Sequence, residues 1–139
     1  MSKLATINHS IKQRKKPRDV FITPIALAKR CINYHIPQKD DIWYDPFKNS
    51  GSFYNNYPDG VDKDWSEILE GKDFFTYNKK VDIVSSNPPY SMLDAVFTKT
   101  LEICSREFGY FSPSGIYGAS GGYLNKMQEG GEVNPTSPN

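Results

Sequence analysis

At 139 residues, the chain is expected to form one domain, long enough for a single core. Its aromatic fraction of 14% and charged fraction of 24% exclude an intrinsically disordered chain, and its formal net charge of +1 excludes a footprint for nucleic acid over the whole surface. The two cysteines, Cys31 and Cys104, have neither the number nor the spacing of a disulfide scaffold or a zinc site.

The first 18 residues are polar and end in a basic run between Lys12 and Arg18. Such a run can bind a phosphate backbone, because each Lys or Arg releases condensed counterions on contact. A solvated arm with a frayed end accounts for the same composition. The sequence therefore predicts a basic N-terminal arm over residues 1–18 and leaves its role open between these two.

Apolar residues at helical spacing predict a helix over residues 25–35. Thr23 and Pro24 precede this segment, where they would supply an N-cap and a first-turn proline. His35 marks the predicted C-terminus of the helix, where a partly positive imidazole suits the helix dipole. We assign His35 no chemistry.

A first strand is predicted over residues 41–44, followed by a loop of small residues that begins at Asp45. Gly51 in this loop can adopt backbone angles that other residues avoid, and Asn49 tolerates the left-handed region better than most. An Asx-type turn, in which Asp45 caps Phe47 and Lys48, explains the same segment without any ligand.

A second strand is predicted within residues 61–68, with Asp64 and Glu67 as the candidate acids at its carboxyl end. Open α/β sheets bind ligands beyond the carboxyl ends of their strands, so either acid is placed for a role in binding. A Gly-x-Asp-Phe-Phe segment over residues 71–75 then leads towards the next strand.

Residues 81–86 form a short apolar run rich in β-branched residues, which predicts a buried strand that stops at Asn87. The two prolines that follow hold Asn87 and Pro88 extended and carry no N–H group. The Asn87 amide and the Pro88 carbonyl therefore point outwards as acceptors, next to the flat ring of Tyr90. This arrangement predicts a socket for a planar group that bears an NH2. A Pro-Pro turn with Tyr90 packed on the core is the alternative.

An amphipathic helix is predicted over residues 91–104 and a further strand over residues 108–111. From residue 112 onwards the chain is rich in Gly, Ser, Pro and Asn, so we expect residues 112–139 to form a flexible tail. No apolar stretch is long enough for a membrane helix and the polar N-terminus has no signal-peptide core, so we expect a cytoplasmic protein with no membrane partner.

These motifs, in this order over residues 19–111, resemble the amino-methyltransferases that use S-adenosyl-L-methionine, and most closely the N6-adenine DNA methyltransferases. The resemblance implies an α/β, Rossmann-like class I methyltransferase core, with a mostly parallel sheet, helices on both faces and the C-terminal strands missing. It implies catalytic roles for Asn87, Pro88, Pro89 and Tyr90. It also implies cofactor-binding roles for Phe21, Thr23, Asp45, Pro46, Phe47, Gly51, Glu67, Asp73 and Phe74.

In such enzymes an acid at the end of the second strand binds the ribose hydroxyls, and Glu67 fits that place better than Asp64. Asp73 would accept the adenine amino group and Phe74 would cover the base. Asn49 stands where the family has a glycine, which is a departure that affects cofactor affinity. The resemblance implies methyl transfer to N6 of adenine in DNA. The alternatives are methyl transfer to RNA adenine or to a protein glutamine, or a role as a non-catalytic binding module. A partner subunit or a missing C-terminal region would complete the core.

Overall fold

The computed structural model of the protein describes residues 22–112, 114–120 and 123–127. The predictions for Phe21 and for the basic arm over residues 1–18 lie outside the described residues. Every other predicted site residue falls within them.

One six-stranded sheet organises the described chain, with the strand order β2-β1-β3-β4-β5-β6. The first four strands in that order run parallel to one another, and β5 and β6 continue the sheet in antiparallel pairings. β3 is an interior strand between β1 and β4, as the sequence predicts. The strands are β1 Ile42–Asp45, β2 Asp62–Trp65, β3 Val81–Ser86, β4 Cys104–Ser112, β5 Gly115–Ser120 and β6 Tyr123–Met127.

Helix α1, Ile25–Ile32, packs on one face of this sheet. Successive residues of a strand point to opposite faces, so Trp43 and Ile83, which are paired in register, share the face that α1 covers. The predicted helix is confirmed, although it ends three residues earlier than the sequence pattern indicates. Its first-turn geometry differs as well: Pro24 occupies the N-cap and no side chain caps the helix, so the capping role predicted for Thr23 is wrong.

Helix α2, Leu93–Ile103, covers the opposite face. Its buried residues Val96 and Ile103 belong to the same core cluster as Tyr44 and Val84, which follow Trp43 and Ile83 along their strands. The structure thus confirms an α/β fold with a mostly parallel sheet between helices, which is compatible with a Rossmann-like fold. In the described part of the chain, neither helix is long and apolar enough to cross a bilayer.

The region after residue 111 departs from the prediction. β4 continues to Ser112, and β5 and β6 add two antiparallel strands, so the expectations of a flexible tail and of missing strands are wrong for residues 115–120 and 123–127. Gly118 allows the β4–β5 pairing to form, and it pairs with Gly109 across the ladder. A Cβ at Gly118 would overlap the carbonyl oxygen of Phe108, so this glycine serves a close approach of two strands.

His35 also has a different role from the one predicted. It follows α1 rather than ending it, and its Nδ1 lies 2.9 Å from Oε2 of Glu107 in β4. Its ring packs edge-on against Trp43. His35 therefore joins the end of α1 to the sheet.

Candidate functional site

The loop after β1 and the turn after β3 meet at the carboxyl edge of the sheet. β1 and β3 are adjacent and parallel, and the hydroxyl of Ser86 at the end of β3 donates to Oδ1 of Asp45 at 2.5 Å. The contact joins the segment to which the resemblance assigns cofactor binding and the segment to which it assigns catalysis. It brings the two halves of the predicted site, 41 residues apart in the chain, into one place.

Asp45 is completely buried at this junction. Its Oδ1 accepts hydrogen bonds from Ser86 and from the Phe47 amide, at 3.1 Å for the amide. Its Oδ2 makes no well-formed hydrogen bond with the described residues, although the Tyr54 amide is near enough to act on the carboxyl group. Burial raises the pKa of Asp45 to about 7, and the bonds from Ser86 and Phe47 oppose that shift. The carboxyl group is therefore a buried, half-satisfied acceptor that holds two loops together.

The turn predicted as the alternative for this segment is present in part. Asp45 caps Phe47, but the Lys48 amide donates to the carbonyl of Ser66 after β2, at 3.0 Å. The loop is therefore tied to all three neighbouring strand ends. Pro46 and Phe47 lie buried beneath it.

Two residues in this loop adopt left-handed backbone angles, as predicted. Asn49 has φ of 50° and Gly51 has φ of 94°. A Cβ at Gly51 would meet the exposed side-chain amide of Asn55, which can move, so it is the backbone angle that favours glycine there. Asn49 adopts its left-handed backbone angle although it is not a glycine.

Glu67 lies against this loop, whereas Asp64 does not. The Asn49 amide donates to Oε1 of Glu67 at 2.9 Å, and the Leu69 amide donates to Oε2 at 3.1 Å. Asp64 instead accepts a bond from the hydroxyl of Tyr77, which stacks on Tyr44 on the face of the sheet that α2 covers. The geometry favours Glu67 over Asp64 as an acid at the carboxyl edge. Glu67 is only 3% exposed, so the loop covers its carboxylate.

Asp73 and Phe74 occupy contrasting surroundings. Oδ1 of Asp73 accepts a bond from the Phe75 amide at 3.0 Å, and its Oδ2 is buried with no hydrogen-bond partner among the described residues. Phe74 is 2% exposed and packs in the core against Tyr44 and Phe47. Asp73 thus offers an unused acceptor, while the ring of Phe74 is enclosed by protein.

A short row of hydrogen bonds fixes the side chain of Asn87. Its Nδ2 donates to Oγ1 of Thr23 at 3.0 Å, and its Oδ1 accepts from the hydroxyl of Tyr90 at 2.9 Å. Thr23 is buried, and Asn87 and Tyr90 are half-buried. The row defines which end of the amide is the acceptor, and it brings the segment before α1 into the site.

The two prolines of the turn are buried, and the Pro89 carbonyl accepts the Met92 amide at 3.0 Å. Beyond them, residues 90–95 line an open depression of about 370 Å³. This depression borders Tyr90 and the start of α2.

Comparisons of this chain with protein-family models, with curated proteins and with solved structures find no match. The assignment of a function therefore depends on the chain's own residues and their geometry. Among the described residues, no group of three His, Cys, Asp or Glu side chains is placed to hold a metal ion.

Sequence reasoning missed two residues of this site. Ser86 links β3 to Asp45, and Tyr57 donates from its hydroxyl to the carbonyl of Ser85 at 2.5 Å. The pair of serines immediately before Asn87 was a usable signal, because hydroxyl groups at the end of a buried strand need partners. Nothing in the sequence pattern marks Tyr57.

Proposed function

We propose that this chain binds S-adenosyl-L-methionine at the carboxyl edge of β1 and β2 and transfers the methyl group to N6 of an adenine in DNA. The observation that carries this proposal is the hydrogen-bonded row Thr23, Asn87 and Tyr90 beside Asp45. An oriented amide oxygen next to an aromatic side chain is suited to a planar amine.

Several side chains fit the cofactor. The buried, unpaired Oδ2 of Asp73 is an acceptor of the kind that an adenine amino group requires, since unsatisfied buried polar atoms are rare in folded proteins. Gly51 supplies the left-handed backbone angle with which the loop after β1 turns at the end of the strand. When bound, the cofactor supplies a methyl group already activated by its sulfonium, so no strong base is needed from the protein.

The ribose end fits less directly. A carboxylate can accept both ribose hydroxyls because it has two acceptor oxygens, but each oxygen of Glu67 already accepts a backbone amide. Since Glu67 is covered, ribose binding requires the segment around Asn49 to move. The cofactor proposal therefore includes a loop opening at residues 48–51.

The protein's contribution to transfer would be placement. An adenine inside a duplex cannot be reached, so the target base is flipped out and stacked on Tyr90, whose hydroxyl leaves Asn87 in the process. Thr23 keeps Nδ2 of Asn87 turned away, which leaves Oδ1 and the Pro88 carbonyl to accept the two amino hydrogens. This holds the nitrogen in a fixed direction towards the methyl donor, and such orientation can supply most of the rate enhancement.

Transfer of tritiated methyl groups to DNA, RNA and protein in parallel tests this function. We expect label in adenine of DNA, and we expect Asn87→Ala to abolish it. Asn78→Ala, an exposed asparagine in the loop before β3, is the matched control and should leave the activity unchanged. Label only in RNA adenine or in protein glutamine would keep the chemistry and replace the substrate.

A second candidate is a binding module without turnover. The covered carboxylate of Glu67 and the enclosed ring of Phe74 favour it, because both side chains would be more accessible in a ready cofactor site. Calorimetry with S-adenosyl-L-methionine separates the two. Heat of binding that disappears in Asp73→Ala supports the enzyme, and the absence of any binding supports the module.

A further inference from the structure

The edge strand β2 separates its charges between two faces. Its sequence alternates Asp62, Lys63, Asp64 and Trp65, so the acids lie on one face and the lysine and tryptophan on the other. The contacts agree with this: Asp64 bonds to Tyr77 on the face of α2, whereas Lys63 lies over Tyr54, which packs with α1. One face of the sheet edge is thus free of the strand's own acids.

Three ammonium groups are held on two aromatic rings along this face. The Nζ atoms of Lys48 and Lys72 lie 4.0 and 3.9 Å from the centre of the Trp65 ring, and Nζ of Lys63 lies 4.4 Å from the centre of the Tyr54 ring. Ring faces attract cations, so each ammonium has a defined position instead of a free range in solvent. We call these five residues the lysine–aromatic face.

The lysine–aromatic face keeps most of its positive charge available. Lys48 has a carboxylate partner in Glu70, 3.5 Å away, but that acid is half exposed and surface pairs of this kind are weak. The described residues offer no ion-pair partner to Lys63 or Lys72, and both lysines are exposed. Lys63 and Trp65 are two residues apart in the strand, which is about 7 Å. The result is a short row of positive charges.

We infer that the lysine–aromatic face binds the phosphodiester backbone of a nucleic acid. Phosphates repeat along such a strand, and a row of lysines exchanges condensed counterions for direct contacts with them. The two rings hold the ammonium groups in place, so the face presents fixed positive charges to the backbone. The inference does not depend on methyl transfer, since these residues need neither a cofactor nor a target base.

Fluorescence anisotropy of the full chain with a labelled oligothymidylate of about 20 nucleotides tests the inference. This probe contains no adenine and so does not depend on the Asn87 site. We expect Lys63→Gln with Lys72→Gln to weaken binding about tenfold, and to reduce the slope of log affinity against log salt by about 1.4, because each single-strand phosphate contact contributes about 0.7. Lys48 is left unchanged because it belongs to the loop after β1.

The matched control is Lys29→Gln with Lys39→Gln, which makes the same change in net charge at two exposed positions outside the lysine–aromatic face. We expect this control to change the affinity less than twofold. Equal losses in the two double variants would mean that net charge alone matters, and no loss in either would mean that the nucleic acid binds elsewhere. Each result would overturn the inference.

Tryptophan fluorescence gives an independent measurement. Trp43 is fully buried and Trp65 is half exposed, so quenching by the oligonucleotide should come from Trp65 and should be lost in Trp65→Phe. The assignment to nucleic acid would also fail if vesicles of phosphatidylserine bound more tightly than the oligonucleotide and lost that binding in the Lys63→Gln, Lys72→Gln variant.

Discussion

The direction of the Asn87 amide depends on a residue 64 positions away in the chain. Nδ2 and Oδ1 of an asparagine are nearly equal in size, so only hydrogen-bond partners decide which one faces a ligand. Thr23 accepts from Nδ2 and thereby commits Oδ1 to the side of Tyr90. Thr23, which lies just before α1, thus sets the direction of the acceptor at the end of β3.

Replacing Thr23 with valine tests this control. Thr23→Val leaves the Nδ2 group without its acceptor, and we expect the free energy of unfolding to fall by about 1 kcal/mol in urea denaturation. Thr23→Ser should restore the stability, because it returns the hydroxyl. If methyl transfer is present, Thr23→Val should lower kcat more than it changes KM, and equal stability of the valine and serine variants would contradict the role given to the hydroxyl.

Asp45 makes the stability of the protein depend on pH in a specific direction. Burial raises its pKa from 3.8 to about 7, so between those values the folded state binds more protons than the unfolded state. The contribution of Asp45 to stability is therefore greatest at low pH and is lost as the pH rises towards 7. This is the opposite of the behaviour of a carboxylate in a salt bridge.

The isosteric variant Asp45→Asn measures this contribution. Relative to the natural protein, the variant should gain stability steadily between pH 4 and pH 7, by about 1.4 kcal/mol for each pH unit at most, and the difference should level off above pH 7. Urea denaturation at a series of pH values gives the difference directly. A difference that does not change with pH would mean that Asp45 is charged in the folded protein.

At the scale of elements, the hairpin of β5 and β6 depends on one small residue. Gly118 lies where any side chain would strike the backbone of β4. We expect Gly118→Ala to reduce the free energy of unfolding by about 1 to 3 kcal/mol, because the two strands must separate to admit the methyl group. Urea denaturation measures the loss. An unchanged stability would show that the hairpin is not paired with β4 in solution.

The elements that the sequence predicts well are those with a local cause. β3 is recognisable because an apolar run stops at two prolines, and the left-handed turn is recognisable from Asn49 and Gly51. The hairpin was not predictable, because glycine in a flexible segment and glycine in a crowded ladder look alike until the neighbouring strand is known. Bonds such as Thr23 to Asn87 are equally invisible, since nothing near either residue in the sequence requires them.

For the molecule as a whole, binding of a ligand to the folded protein must increase the free energy of unfolding. A ligand that binds only the folded protein raises the free energy of unfolding by about 2.7 kcal/mol when its concentration is 100 times its Kd. For S-adenosyl-L-methionine we expect Tm to rise by about 10 °C under that condition, measured by differential scanning fluorimetry. Asp73→Ala should remove the rise, and a natural protein whose Tm does not change would contradict the cofactor proposal.

The double role of Asp45 Oδ1, which accepts from its own loop and from the end of β3, has a thermodynamic consequence. Any molecule that shifts one of the two segments must alter the other through that oxygen. Binding at the two segments is then coupled in both directions. If a ligand bound at one segment changes the affinity of the other segment for its ligand by some factor, the second ligand changes the affinity for the first by the same factor. Asp45→Ala, which removes the shared oxygen, should bring the two affinities closer to independence.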